Sequence, residues 1–369
     1  MKSQIFLLFI AGLLAFSSCK KDDDMEIEEP TYTIPTTYNF ENVSYGGQTQ
    51  RIGMLTEMKA YMKSANTSGT ALDASKLAAM FANDAANAGW AATYEDSKQI
   101  RSKTFGPVQV TFDDLLVDLA AASQSTVAGT DGTAGVVTSN DGAKNYLLDD
   151  QGVELGQVIE KSLMGALLYY QSAGVYFESG KIDTDNETVT AERGTEMEHA
   201  FDEAFGYFGV PIDFPTNTDN IVFWGNYSNG RDDVLESNKT IMDGFLKGRA
   251  AISGKDILAR DEAIKTVRDG WELVIAGTAL HYLNSGLGNF ADNSRRGHAL
   301  SEAIGFVYSL QFSPTKTITN AQVEELLTLI GGSASILESN LYNVTEANLN
   351  SAKDKLADWY GVTDQKDEF

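Results

Sequence analysis

Apolar residues along most of this chain recur every three or four positions, the spacing that gathers them on one face of an α-helix. Ile52, Leu55, Met58 and Met62 predict a first helix ending near Ser64, preceded by an irregular, aromatic and Gly46-Gly47-bearing arm from Tyr38 to Thr49. Asp73 or Ser75 is placed to cap a second helix through Leu77, Met80 and Phe81. Thr111-Phe-Asp-Asp114 has capping-box spacing, with Asp in the Glu position, ahead of Leu115, Leu116 and Leu119. From about Ser123 to Gly142 the pattern breaks into a Gly/Thr/Ser-rich surface insertion. Pro211 to Asn229, with two prolines and the run Val222-Phe223-Trp224, reads as a long connection laid over the bundle. Helices resume from about Asn238 to Ser253, after the capping box Thr319-Asn-Ala-Gln322, and from Thr345 through Leu349, Leu356 and Trp359. Strand signals are scarce, so the expected fold class is all-α, a helical bundle.

One stretch is written twice. His199-Ala-Phe-Asp-Glu203-Ala-Phe-Gly206 recurs as His298-Ala-Leu-Ser-Glu302-Ala-Ile-Gly305, and it holds two of the three histidines. Upstream, Gly165-Ala-Leu-Leu-Tyr169-Tyr-Gln-Ser172 matches Gly277-Thr-Ala-Leu-His281-Tyr-Leu-Asn284, both on long apolar helices that run into the motif. The repeat predicts a duplicated bundle whose halves, approximately 37–210 and 230–362, pack about a pseudo-twofold axis and turn their His/Glu faces toward one another.

The N-terminus speaks to location. Lys2, the apolar run Ile5 to Phe16 and Phe16-Ser17-Ser18-Cys19 read as a lipoprotein signal peptide over residues 1–18, with Cys19 as the lipid attachment site. The run is shorter than the ~20 residues a membrane-spanning helix needs. Lys20-Lys21-Asp22-Asp23-Asp24 opens an acidic tether over residues 19–36 and resembles the export signal of lipoproteins that some Gram-negative bacteria carry to the cell surface. The expectation is therefore an outer-membrane lipoprotein facing the cell surface, with the periplasmic face as the alternative. The full chain has a formal charge of −24; residues 1–18 contain one lysine and no acid, so the remainder stands at −25. That excludes nucleic acid as a partner and leaves cations and basic peptides.

Candidate chemistry centres on the repeat. A spacing of four returns to the same helical face, so each copy sets an imidazole beside a carboxylate. Glu196, His199 and Glu203 form one stripe, and Glu196-x-x-His199 has the spacing of di-iron bundles, but Arg295 stands where the second such motif would need Glu. Imidazole with carboxylate suits iron, zinc or manganese, so a mononuclear site built from His199, Glu203, His298 and Glu302, with His281 beside it, is open. So is a buried His–Glu hydrogen bond in each half, with no metal. No His-Glu-x-x-His motif is present.

The Cys19 lipobox, the acidic tether, the helical body, the duplication and the His-Ala-x-x-Glu helix together resemble the imelysin-like proteins, or insulin-cleaving membrane proteases. The resemblance is closer to an uncharacterised set of surface lipoproteins related to them, whose start Tyr38-Asn-Phe40 to Met62 looks like, and it covers residues 38 to 362. It implies two packed bundles, an envelope location and an association with iron uptake. Imelysins carry Gly-x-His-x-x-Glu; here Glu203 and Glu302 stand four after their histidines and Gly297 lies directly before His298. The leading expectation is a lipid-anchored binding protein serving metal uptake, with an outer-membrane transporter as partner. The alternatives are a metal-dependent peptidase with Glu203 or Glu302 as base, and a structural or partner-binding lipoprotein without metal.

Overall fold

The computed structural model describes residues 31–369. The expected signal peptide, Cys19 and most of the expected tether lie outside the described residues. Four helices come first: α1 (Gly46–Ser64), α2 (Ala74–Ala82), α3 (Ala85–Ala88) and α4 (Gln109–Ser123). A two-stranded antiparallel hairpin follows, β1 (Gly135–Thr138) and β2 (Asn145–Leu148), in register from Gly135 opposite Leu148 to Thr138 opposite Asn145. Next comes α5 (Leu155–Leu163), prolonged by two π-helical segments, Met164–Tyr169 and Ser172–Tyr176. The chain continues through α6 (Ser179–Ile182), α7 (Glu196–Gly206), α8 (Trp224–Leu235), α9 (Ser237–Ser253), α10 (Ile257–Gly288), α11 (Asn293–Ser309), α12 (Asn320–Gly331) and α13 (Glu346–Trp359). The protein is thus mainly α-helical, with two short strands among the described residues.

The 32-residue α10 is the central post: α8, α9, α11 and α13 pack on it, and α5 packs on α11. Its Trp271 is fully buried against Trp224, Phe208 and Tyr169. The Trp224 indole N–H donates to the Met164 carbonyl at 2.8 Å. Among the described residues no helix is long and apolar enough to cross a membrane.

Several starts are where the caps place them. Asp73 accepts from the Ser75 and Lys76 amides, Thr319 and Gln322 form the reciprocal capping box, and Thr345 accepts from Asn348. Four expectations need correcting. α1 begins at Gly46, inside the supposed irregular arm, because α7 packs on its first turn and overrides the poor helix propensity of glycine. α4 begins at Gln109, so Thr111 is interior and caps nothing; the Gln109 side chain donates back to the Thr104 carbonyl at 3.0 Å instead. The connection after Pro211 stops at Phe223, where burial of Trp224 starts α8. The Gly/Thr/Ser-rich insertion is also more than a loop, since it supplies β1.

Candidate functional site

In α7 the motif's Ala200, Ala204 and Gly206 are buried, and so are Ala299, Ala303 and Gly305 in α11. A Cβ built on Gly206 would lie 2.6 Å from Tyr45 Cβ and 2.9 Å from Gln48 Cβ. On Gly305 it would lie 2.4 Å from Lys161 Cβ and 3.1 Å from the Ser162 amide nitrogen. The shortest distance at each glycine is below what real Cβ atoms show, so each glycine is where two helices cross closely: α7 over the start of α1, α11 over α5. The small residues of the repeat are therefore a packing pattern, and the histidine and glutamate ride beside it.

The two His/Glu pairs have different surroundings. His298, a quarter exposed, lies between two buried carboxylates: Nδ1 donates to Glu154 Oε2 at 2.6 Å, and Nε2 is 3.3 Å from Glu302 Oε1. Tyr146 of β2 stacks flat on the imidazole, with centroids 4.1 Å apart. Burial by itself lowers the pKa of His298, but the hydrogen bond and charge of Glu154, joined by Glu302, outweigh it and the net shift is upward. Behind Glu302 the buried Lys161 ammonium lies 3.8 Å away and 2.7 Å from Glu160, which Lys59 also reaches at 2.9 Å. Burial opposes both charges, yet Glu160 and Glu302 raise Lys161, while Lys161 and Lys59 lower Glu160. With His298 protonated, three carboxylates (Glu154, Glu160, Glu302) face three cations (Lys59, Lys161, His298), and the network closes on itself.

Around His199 the pairing is loose. Its Nε2 is 3.7 Å from Glu203 Oε2, beyond hydrogen-bond range, and Glu203 instead accepts from Gln48 Nε2 at 2.8 Å. Burial lowers the pKa of His199, with Arg193 adding to the effect and Glu203 and Glu196 opposing it, so this imidazole is the neutral one. Glu196 is half-exposed and pairs with Arg193 at 3.2 Å. The buried carboxylate on this helix is Asp202, a position left unassigned by the sequence pattern. It accepts from Tyr38 at 2.8 Å and from the buried Arg249 at 2.9 Å, and burial pushes it up to about 6 even though both partners pull downward. Arg249 also holds Glu198 at 2.7 Å, so this group fastens the Tyr38–Ser44 arm to α7 and α9.

The expected meeting of the two faces does not occur. Gln48, at the start of α1, holds Glu203, whereas Asn66, just past its end, donates to Glu154 at 3.0 Å. The intervening helix places the pairs on the order of 20 Å apart. His281 joins neither pair; its neighbours are Arg231 and the Phe369 backbone, and burial followed by Arg231 lowers its pKa. A protein-held iron or zinc needs lone pairs converging on one point at about 2.0–2.2 Å. The nitrogens of His298 diverge, each spent on a different carboxylate, and His199 with Glu203 offers two donors. Among the described residues no group of three or more His, Cys, Asp or Glu side chains could hold a metal ion. The repeated motif therefore does not fit the metal that the spacing left open.

Missed in the sequence were Glu154, Glu160, Lys161 and Tyr146. Adjacent opposite charges, Glu160-Lys161, inside the apolar stretch from Leu155 to Tyr169 were the available signal, since charges there have to be paired.

A family model described as Domain of unknown function (DUF4856) matches residues 35–363. The chain belongs to this family. The matched span runs from just before Tyr38, which Asp202 holds, to the end of the bundle, so it takes in both copies of the motif and all thirteen helices named above. Neither a curated protein nor a solved structure matches the chain.

Proposed function

We propose that this member of the DUF4856 family is a lipid-anchored binding protein of the cell envelope, held at the outer membrane through Cys19 and turned to the cell surface. The Phe16-Ser-Ser-Cys19 sequence and the lysine-then-acid run after it support the anchor. The imelysin-like resemblance supports a role beside an outer-membrane transporter in metal uptake, and the close helix crossing made by each repeat glycine supports an origin by duplication with pseudo-twofold related halves.

The observation that carries binding over hydrolysis is the closed network around His298. A peptidase of the imelysin type needs a carboxylate free to take a proton from a metal-held water. Glu302 and Glu154 are committed to cations, and Glu203 to the Gln48 amide. The pairs are internal struts, and recognition belongs to the surface.

Two measurements test this reading. The purified chain, loaded with zinc or iron(II), is assayed on unstructured peptides beside Glu203→Gln and Glu302→Gln; no turnover above the blank is expected, and turnover abolished by chelator and by either substitution overturns the binding assignment. Cys19→Ala is expected to move the chain from the membrane fraction to the soluble one, and an unchanged distribution overturns the anchor.

A further inference from the structure

A groove of ≈ 410 Å³ lies between the first half of α10 and the segment from the end of the second π-helical stretch through α6. Its floor is apolar, made by the buried Phe177, Ile182 and Ile264. Along it α10 lays two parallel stripes at helical spacing: Arg260, Ile264 and Arg268, which are buried, and Asp261, Lys265 and Asp269, which are exposed. In a chain of formal charge −24 this is an unusual wall, because Arg260, Lys265 and Arg268 balance Asp183, Asp261 and Asp269.

The two arginines are not equivalent. Arg260 is used up by the chain: Nε and Nη2 hold Asp261 at 2.8 and 2.7 Å, Nη2 holds Asp183 at 2.8 Å, and Nη1 faces the Ile182 carbonyl at 3.4 Å. Arg268 clamps the Ala173 carbonyl in the π-helical stretch with Nε, at 3.1 Å, and Nη2, and reaches Glu178 through Nη2 as well. Its Nη1 makes no hydrogen bond among the described residues, so one edge of a buried guanidinium is spare beside the hydroxyl side chains Ser179 and Thr315. At the rim, half-exposed Asp183 and Asp261 share the single cation of Arg260 and Asp269 is paired with Lys265, so three carboxylates face two cations and one negative charge is left over for an incoming ammonium. π-helical turns are rare and gather at functional sites, and this one ends where the groove begins.

We propose that this groove binds a short peptide with free ends, its carboxylate on Arg268 and its ammonium on the aspartate rim. The size agrees. Arg260 to Arg268 spans roughly 12 Å of helix, and an extended chain covers about 3.3–3.6 Å per residue, which fits two or three residues with an apolar side chain on the floor. Both signs are required, since an anion alone meets the excess negative charge of the rim and a cation alone meets the guanidinium of Arg268. The inference rests on the reading of the chain as a binding protein. Its failure removes this groove and this ligand, whereas that reading fails only on metal-dependent turnover, so the two outcomes are distinguishable.

The test is calorimetric titration of the purified chain with tri-alanine, N-acetyl-tri-alanine, tri-alanine amide and inorganic phosphate. Saturable binding of tri-alanine is expected, weakened about tenfold or more when either end is blocked, as for loss of one charge-assisted contact. Phosphate is expected not to compete. Arg268→Gln and Asp183→Asn are each expected to weaken tri-alanine by a similar factor. Because Arg268 also clamps the π-helical turn, the half-exposed Asp183 variant carries the test if Arg268→Gln does not fold. No saturable binding, binding indifferent to blocked ends, or unchanged affinity in Asp183→Asn overturns the proposal.

Discussion

Replacing His298 with alanine removes the cation that lies between Glu154 and Glu302 and leaves both carboxylates buried. Breaking a buried pair by taking away one partner costs about 3–5 kcal/mol. His298 is a quarter exposed, so water answers part of the charge, and about 2–3 kcal/mol is expected after that screening. The cost depends on pH with a definite sign. The folded-state pKa of His298 is raised above the unfolded value of about 6.5. Its protonation therefore contributes stability that is fully present below about pH 6.5 and is lost as pH rises through the folded value. Urea unfolding of the wild type and His298→Ala across pH 5.5 to about 9 measures this, because the titrating groups remote from His298 are common to both chains and largely cancel in the difference. The gap is expected to be widest at the acid end and to narrow toward the alkaline end. A gap that is flat or that widens with pH refutes the charge-balanced network, as does a gap below about 0.5 kcal/mol at pH 6, the range of ordinary surface substitutions.

Gly206→Ala and Gly305→Ala should each destabilise by about 1–3 kcal/mol through overpacking, whereas Gly288→Ala, with nothing within 4 Å of its added Cβ, should be near neutral; denaturation midpoints decide. Thr319→Ala removes the capping box of α12 and should cost about 1 kcal/mol in the same assay. Tyr146→Ala removes the ring stacked on His298, and amide hydrogen exchange should speed up over β1 and β2 while α5 stays protected.

The helices were legible wherever a cap residue stood directly before an apolar stripe, as at Asp73, Thr319 and Thr345. They were illegible where tertiary contact decided the start. Gly46-Gly47 looks like a breaker, and only the close passage of α7 over Tyr45 and Gln48 makes it a first turn. The hairpin escaped notice because its strands are four residues long and sit in glycine- and threonine-rich surroundings; α11 holds them through Asp292 and Ser294, which bond the Asn140 amide and the Val137 carbonyl, each at 2.9 Å. At the repeat, sequence spacing correctly put each histidine beside its glutamate. The third and fourth partners could not be read from it. Glu154 lies 144 positions from His298, and Gln48 lies 155 from Glu203, so the difference between a charged strut and a neutral, loosely paired imidazole is set by long-range packing. The alanines and glycine of the motif, passed over in favour of its titratable residues, are what the two copies share in structural role.

Metal content tests the central claim, that the repeated His/Glu motif is internal support in a binding protein. The purified chain and its His199→Ala/His298→Ala double variant would be loaded with iron(II) or zinc, dialysed, and measured by mass spectrometry. Both chains are expected to retain well under one equivalent, with no difference between them. Near-stoichiometric metal in the wild type that disappears in the double variant would contradict the account and make the motif a site.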